Sequence, residues 1–170
     1  MPYSWSPSSV HSSLPPDALY AGSDSDGSQI FLGRSFFQGD LLPCKIIPNK
    51  NAAYVSYDGG EHFVETYEVL SGQGFEWILT EGSIPDGAFE IGYSKSGEQL
   101  LVGRIHFEGS LTPGKIHRSH GCLYIPYGGV EHSFQSNFEV LILNTVPINP
   151  PPDQPDEPEQ PDQCCCCSLM

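Results

Sequence analysis

The stretch Gln29-Ile30-Phe31-Leu32-Gly33-Arg34-Ser35-Phe36-Phe37 sets a Gly-Arg pair inside an apolar run, and seventy residues later it returns as Gln99-Leu100-Leu101-Val102-Gly103-Arg104-Ile105-His106-Phe107. Working outward, the same offset lays Gly22, Gly27, Gly39, Leu41, Pro43, Lys45 and Ile46 onto Gly92, Gly97, Gly109, Leu111, Pro113, Lys115 and Ile116. It continues from Tyr54, Tyr57, Gly59, Glu61 and His62 onto Tyr124, Tyr127, Gly129, Glu131 and His132. After a one-residue slip, Tyr67-Glu68-Val69-Leu70 aligns with Phe138-Glu139-Val140-Leu141. Duplication of this kind implies a pseudo-symmetric body, and two copies are too few for a solenoid, which generally needs three or more.

Each copy reads as strands. The two Gly-Arg runs, Ala53 to Tyr57 and Cys122 to Tyr127 are short, aromatic or β-branched, and bounded by Gly, Pro, Asp or Ser turns. In the closing run Phe138, Val140 and Ile142 alternate with Glu139, Leu141 and Leu143, the pattern of a covered strand rather than of an amphipathic helix. The expected fold is all-β: two tandem repeats, 1–72 and 73–144, packed as a sandwich-like body of antiparallel sheets. Trp5 is placed inside it as the counterpart of Trp77, each preceding its repeat's Pro-containing turn.

Composition sets the outer limits. With 170 residues, 18 Gly and 16 Pro, the chain is turn-dense yet long enough to bury roughly 68–70% of its unfolded surface. Its 21 acids against 7 bases, a net charge of −14, leave no basic footprint for nucleic acid. Residues 1–20 have neither a basic n-region nor an apolar core, which points to a protein made and kept in the cytosol.

After Leu143 the character changes. Residues 145–163 interleave seven prolines with acids, a composition that favours an extended, disordered spacer. Residues 164–170 then read Cys-Cys-Cys-Cys-Ser-Leu-Met. Cys167-Ser168-Leu169-Met170 fits the C-a-a-X prenylation pattern, with Met favouring a farnesyl group. A single prenyl chain holds a membrane only marginally, and the usual polybasic patch is missing, so Cys164, Cys165 and Cys166 are the candidate palmitate acceptors that would complete an anchor to the cytosolic face of a plasma or vesicle membrane. Cys167→Ser is expected to release the protein from membranes, because prenylation precedes acylation of the neighbouring thiols. Membrane fractionation checks this, and a variant that sediments with membranes as the wild type does overturns it.

Gly33-Arg34, Leu41-Leu42-Pro43-Cys44-Lys45 and Tyr57-Asp58-Gly59-Gly60-Glu61, with their second-copy counterparts, resemble the DM-nine repeat family. The resemblance covers residues 3–143 and implies an all-β tandem body that acts as a mannose-binding, pattern-recognition lectin of innate immunity. In the lectin members an acid in the turn before the Gly-Arg strand and the Lys of a Pro-Gly-Lys turn hold the sugar. Asp24 and Lys45 match these positions, and Lys115 matches the lysine in the second copy, where Ser94 replaces the acid and weakens the site. A carboxylate accepting from sugar hydroxyls and an ammonium donating to another would hold a glycan without metal or cofactor. Cys44 stands where the second copy has Gly114, a source of strain if that turn needs a positive φ.

Among the seven bases, Arg34 with Arg104 and Lys45 with Lys115 fall at equivalent positions. The bland reading of all four is internal ion pairs kept in both copies, with Glu61 and Glu131 as the candidate partners; for the arginines, inside strands, that reading is the expectation, and for the lysines, on turns, ligand contact is. Glu61 and Glu131 either line the same pockets or form polar strand ends with His62 and His132. His117, His120 and Cys122 imitate a metal or nucleophile site, but no nucleophile, base and orienter converge and no zinc spacing is present, so the expectation is a non-enzyme. The partners expected are mannose-type glycans and a membrane, with a homodimer left open; the competing function is a lipid-anchored adaptor that binds protein or lipid headgroups.

Overall fold

The computed structural model describes residues 2–144, and the spacer and cysteine tail lie outside the described residues. The first half contributes β1 (Tyr3–Ser9), β2 (Tyr20–Ser23), β3 (Gln29–Phe37), β4 (Asp40–Ile47), β5 (Ala52–Tyr57), β6 (Gly60–Phe63) and β7 (Thr66–Gly72). The second contributes β8 (Phe75–Thr80), β9 (Glu90–Tyr93), β10 (Gln99–Phe107), β11 (Ser110–His117), β12 (Cys122–Tyr127), β13 (Val130–Phe134) and β14 (Phe138–Leu143) in the same order. Both Gly-Arg runs are strands over the expected residues, and the fold is all-β and pseudo-symmetric.

All strand pairings are antiparallel and join the strands into one sheet. The sheet closes on itself twice: β3, β4, β5, β6, β13, β12, β11 and β2 form one eight-strand circuit, β10, β11, β12, β13, β6, β5, β4 and β9 form its twin, and β1, β7, β8 and β14 are added outside both. Closure is made by exchange between the repeats. Ser23 of β2 pairs with Leu111 of β11, and its twin Tyr93 of β9 pairs with Leu41 of β4.

This exchange explains two glycines. A Cβ on Gly22 would fall on the Leu111 carbonyl oxygen, and one on Gly92 would fall on the Leu41 carbonyl oxygen, so only glycine lets the two backbones approach. It also explains why prolines sit inside strands. Pro43 lies opposite Arg34 of β3, while on its other side β4 meets β9 at Leu41 and β5 only from Lys45 onward. Pro43 falls in the gap, where no second strand would take an N–H. Pro113 occupies the same gap between Leu111 and Lys115.

The core has three parts. One is built inside each repeat, around Leu42, Ile46 and Val55 in the first and Ile116, Leu123 and Phe138 in the second. Between them Leu32, Leu70, Ile91, Val102 and Leu141 pack with Tyr3, Trp5, Phe75 and Trp77. Trp5 and Trp77 are equivalent, since they pair with Leu70 and Leu141 and each lies under an arginine, Arg34 at 3.8 Å and Arg104 at 4.3 Å from the ring centroid. The same arginines bond Glu68 and Glu139, both at 2.7 Å, so internal ion pairs exist, with these glutamates as partners and not Glu61 and Glu131. A planar guanidinium satisfies stacking and carboxylate pairing together, which lysine does not.

Candidate functional site

The site is built on two hairpin tips that meet. Asp58-Gly59 joins β5 to β6 and Gly128-Gly129 joins β12 to β13, with φ of 46° and 81° in the first and 63° and 82° in the second. Two consecutive positive φ values make the tight turn whose twist matches antiparallel strands, which is why Gly recurs there. The tips bond across the repeats: Glu61 N–H donates to the Gly129 carbonyl at 3.2 Å and Glu131 N–H to the Gly59 carbonyl at 2.9 Å. Each glutamate then accepts back, Glu61 Oε1 from Gly129 N–H at 3.1 Å and Glu131 Oε1 from Gly59 N–H at 3.2 Å.

Lys45 and Lys115 complete this clamp. Lys45 Nζ donates to Glu61 Oε2 at 2.8 Å and to the Pro126 carbonyl of the other repeat at 2.6 Å. Lys115 Nζ lies 3.0 Å from Glu131 Oε2 and donates to the Ser56 carbonyl at 2.8 Å. Each ammonium also sits between two tyrosine rings, one from each repeat: Tyr54 and Tyr127 at 5.4 and 5.8 Å for Lys45, Tyr57 and Tyr124 both at 5.6 Å for Lys115. Cation–π attraction adds to the charge pairing in this dry setting.

The placement of the lysines on turns is therefore corrected. Lys45 lies in β4 and Lys115 in β11, and both side chains are buried. The predicted turn is not there because Pro43 and Pro113 fit the gaps described above. No strain arises at Cys44, which is buried in β4 without a positive φ; burial pushes its thiol up and away from reactivity.

Asp24 does lie in a turn, between β2 and β3, and it opens onto a cavity of about 260 Å³. The lining comprises Asp24, Lys45, Ile47, Lys50, Tyr54, Glu61, Tyr127 and Gly128, so three of the residues singled out in the sequence converge with residues of the other repeat. Lys115 and Glu131 do not line this cavity. The residue missed by sequence reading is Lys50, at the end of a 3-10 turn (Pro48–Lys50). Its Nζ bonds Asp24 Oδ2 at 2.6 Å and Asp26 Oδ2 at 3.0 Å. Lys50 has no basic twin in the second copy, where His120 stands, and so escaped the repeat comparison.

Burial alone would raise the Asp24 carboxyl; the Lys50 ammonium and the Ser25 N–H outweigh it and hold the group below its ordinary value of 3.8. Asp26 is held down to about 2 by the Ser28 N–H and by Lys50. Lys50 is in turn raised above its ordinary 10.5 by Asp24 and Asp26. The site thus presents a largely buried, fixed carboxylate beside a partly exposed ammonium, framed by tyrosines.

The pseudo-equivalent region differs. Ser94 bonds Ser96 at 2.8 Å, and His120 stacks on His117 at 4.5 Å while its Nδ1 lies 3.0 Å from the Tyr124 hydroxyl. Burial holds the His117 imidazole below its ordinary 6.5 despite Glu98. His62 and His132 act as hairpin braces, with Nε2 at 2.8 Å from the Tyr57 carbonyl and 3.1 Å from the Tyr127 carbonyl. Among the described residues no group of three or more His, Cys, Asp or Glu side chains could hold a metal ion, and no helix is long and apolar enough to cross a membrane.

Comparison with known proteins agrees with the architecture. No curated protein matches the sequence with significance. The crystal structure of the nematode sperm cell motility protein MFP2B is similar, with a TM-score of 0.65 and 13% identity over 87% of this chain and 48% of that one. This chain spans about half the length of MFP2B, and a likeness at such identity is one of fold alone. The family model of the DM9 repeat matches residues 24–134, which contain the Gly-Arg strands, the paired lysines and both hairpin tips, and the chain belongs to the DM9 repeat family.

Proposed function

We propose that the protein is a carbohydrate-binding protein of mannose type, with its site in the cavity at Asp24 and Lys50. The observation that carries this reading is the convergence of a charge-fixed carboxylate, a half-exposed ammonium and the rings of Tyr54 and Tyr127 around about 260 Å³, room for one pyranose ring. Sugars offer vicinal hydroxyls and an apolar C–H face, which call for charged acceptors and donors beside aromatic surface. In this reading Lys45 and Glu61 form the floor that aligns the tyrosines, and Asp24 and Lys50 make the hydroxyl contacts. Tethering through Cys164 to Cys167 and a pattern-recognition role belong to the same proposal, which includes no catalytic step. The second copy, with Ser94 and His120 in place of the acid and base, contributes no equal site.

Asp24→Ala and Lys50→Ala are each expected to weaken binding of methyl α-mannoside about ten- to hundredfold, roughly 1.5–3 kcal/mol, by leaving a ligand hydroxyl without its charged partner. Lys50→Ala should remove little stability, because its side chain is 38% exposed, whereas Asp24, 14% exposed and also bonded to the Ser25 N–H, needs its thermal unfolding followed beside its binding. Titration calorimetry against wild type checks this. Affinity should be level with pH between the ordinary values of 3.8 for Asp24 and 10.5 for Lys50. Asp24, depressed in the fold, stays charged as pH falls to 3.8 and is lost only below it; Lys50, raised, is lost only above 10.5. A wild type that binds no glycan would remove the lectin reading and favour the adaptor.

A further inference from the structure

Tyr54 lines the cavity, and the row of side chains to which it belongs continues beyond the lining. Lys45 of β4 pairs with Tyr54 of β5, and Tyr54 pairs with Phe63 of β6. Directly paired residues of antiparallel strands stand on one face of a sheet, so Lys45, Tyr54 and Phe63 form a line leading out of the cavity. Glu61, two residues before Phe63 on the same strand and therefore on the same face, lines the cavity and bonds Lys45. Phe63 itself is outside the lining.

Its ring meets Tyr54 at a centroid distance of 6.0 Å and an angle of 75°, a contact that leaves Phe63 53% exposed. Packing within the fold does not account for an aromatic side chain in this position. The second copy confirms that the fold has no need of it: Tyr124 pairs there with Ser133, on strands otherwise matched in register. An exposed aromatic beside a polar cavity is the surface that the C–H face of a sugar ring covers.

We propose that Phe63 forms a second subsite, so that the ligand is an oligosaccharide whose terminal residue fills the cavity and whose next residue stacks on Phe63. This inference rests on the glycan reading of the cavity and names the ligand class within it. A single ring held by Asp24 and Lys50 leaves Phe63 untouched, whereas a disaccharide reaches past Tyr54 onto it. Specificity for chain length then comes from a residue present in one repeat only.

The test uses the full chain, with methyl α-mannoside and an α-linked mannobiose as the two probes, titrated calorimetrically against wild type, Phe63→Ser and Phe63→Trp. Wild type should bind the disaccharide roughly threefold to tenfold more tightly than the monosaccharide. Phe63→Ser should bring the disaccharide down to the monosaccharide affinity while leaving the monosaccharide unchanged, and Phe63→Trp should keep the preference. Thermal unfolding of Phe63→Ser close to that of wild type shows that the loss is one of contact. Equal wild-type affinity for both probes, or a Phe63→Ser variant that loses both in proportion, overturns the subsite while the cavity reading stands. Failure of wild type to bind either probe overturns both.

Discussion

Lys45→Ala is expected to destabilise the protein by about 3–5 kcal/mol, because it leaves the largely buried Glu61 carboxylate without its charge partner. The Lys45 side chain is 5% exposed and that of Glu61 12%, so the loss is of a buried pair and exceeds the 1 kcal/mol or less typical of surface pairs. Three things go at once: the bond to Glu61, the bond to the Pro126 carbonyl, and the cation between Tyr54 and Tyr127. Lys115→Ala should cost a similar amount, since Lys115 and Glu131 are 7% and 11% exposed and hold the same clamp from the other side. Urea unfolding of Lys45→Met, Glu61→Gln and the double variant measures the coupling; the double variant should recover much of the loss because no charge is left alone. A Lys45→Ala loss below about 1 kcal/mol would show that the clamp is not a buried pair in solution. For ligand studies, substitutions at either buried lysine mix lost fold with lost binding, and Lys50, 38% exposed, is the position that separates them.

Gly22→Ala should lower stability by about 2–3 kcal/mol, a fall in melting temperature of about 5–10 °C. The obstacle is a backbone carbonyl, that of Leu111, which cannot turn aside as the end of a side chain can. Relief requires β2 to part from β11, and that contact is where the first repeat closes onto the second. Gly92→Ala should behave alike through the Leu41 carbonyl. Gly87→Ala is the control, because a Cβ there meets nothing within 4 Å. Calorimetric scans of the three variants check the ordering, and a Gly22→Ala protein that melts with the wild type would mean that the repeats are not interlocked at β2.

The all-β class, the duplication and the span of the Gly-Arg strands were legible in the sequence because they are local or repeated facts. Alternation and turn chemistry act over a few residues, and a repeat announces itself by comparison of the chain with itself. The site was legible only in part. Asp24 and Glu61 could be named, yet Lys50 stood outside every repeated motif, and its meaning came from Asp24 and Asp26 lying within bonding distance. The role of Lys45 was decided by the tertiary structure alone. A Pro-x-Lys sequence reads as a turn until it is known that β5 and β9 leave Pro43 unpaired on one side, and a lysine reads as free until Pro126 and Tyr127 arrive from the other half of the chain. The sequence by itself determined the all-β class, the Gly-Arg strands and the closing strand, and that the unit occurs twice, whereas β4 and β11 read as turns. Closure of the sheet by exchange between the copies, the burial of the lysines and the composition of the cavity were decided by tertiary structure, because each depends on which backbone and which charge another repeat brings to the same place.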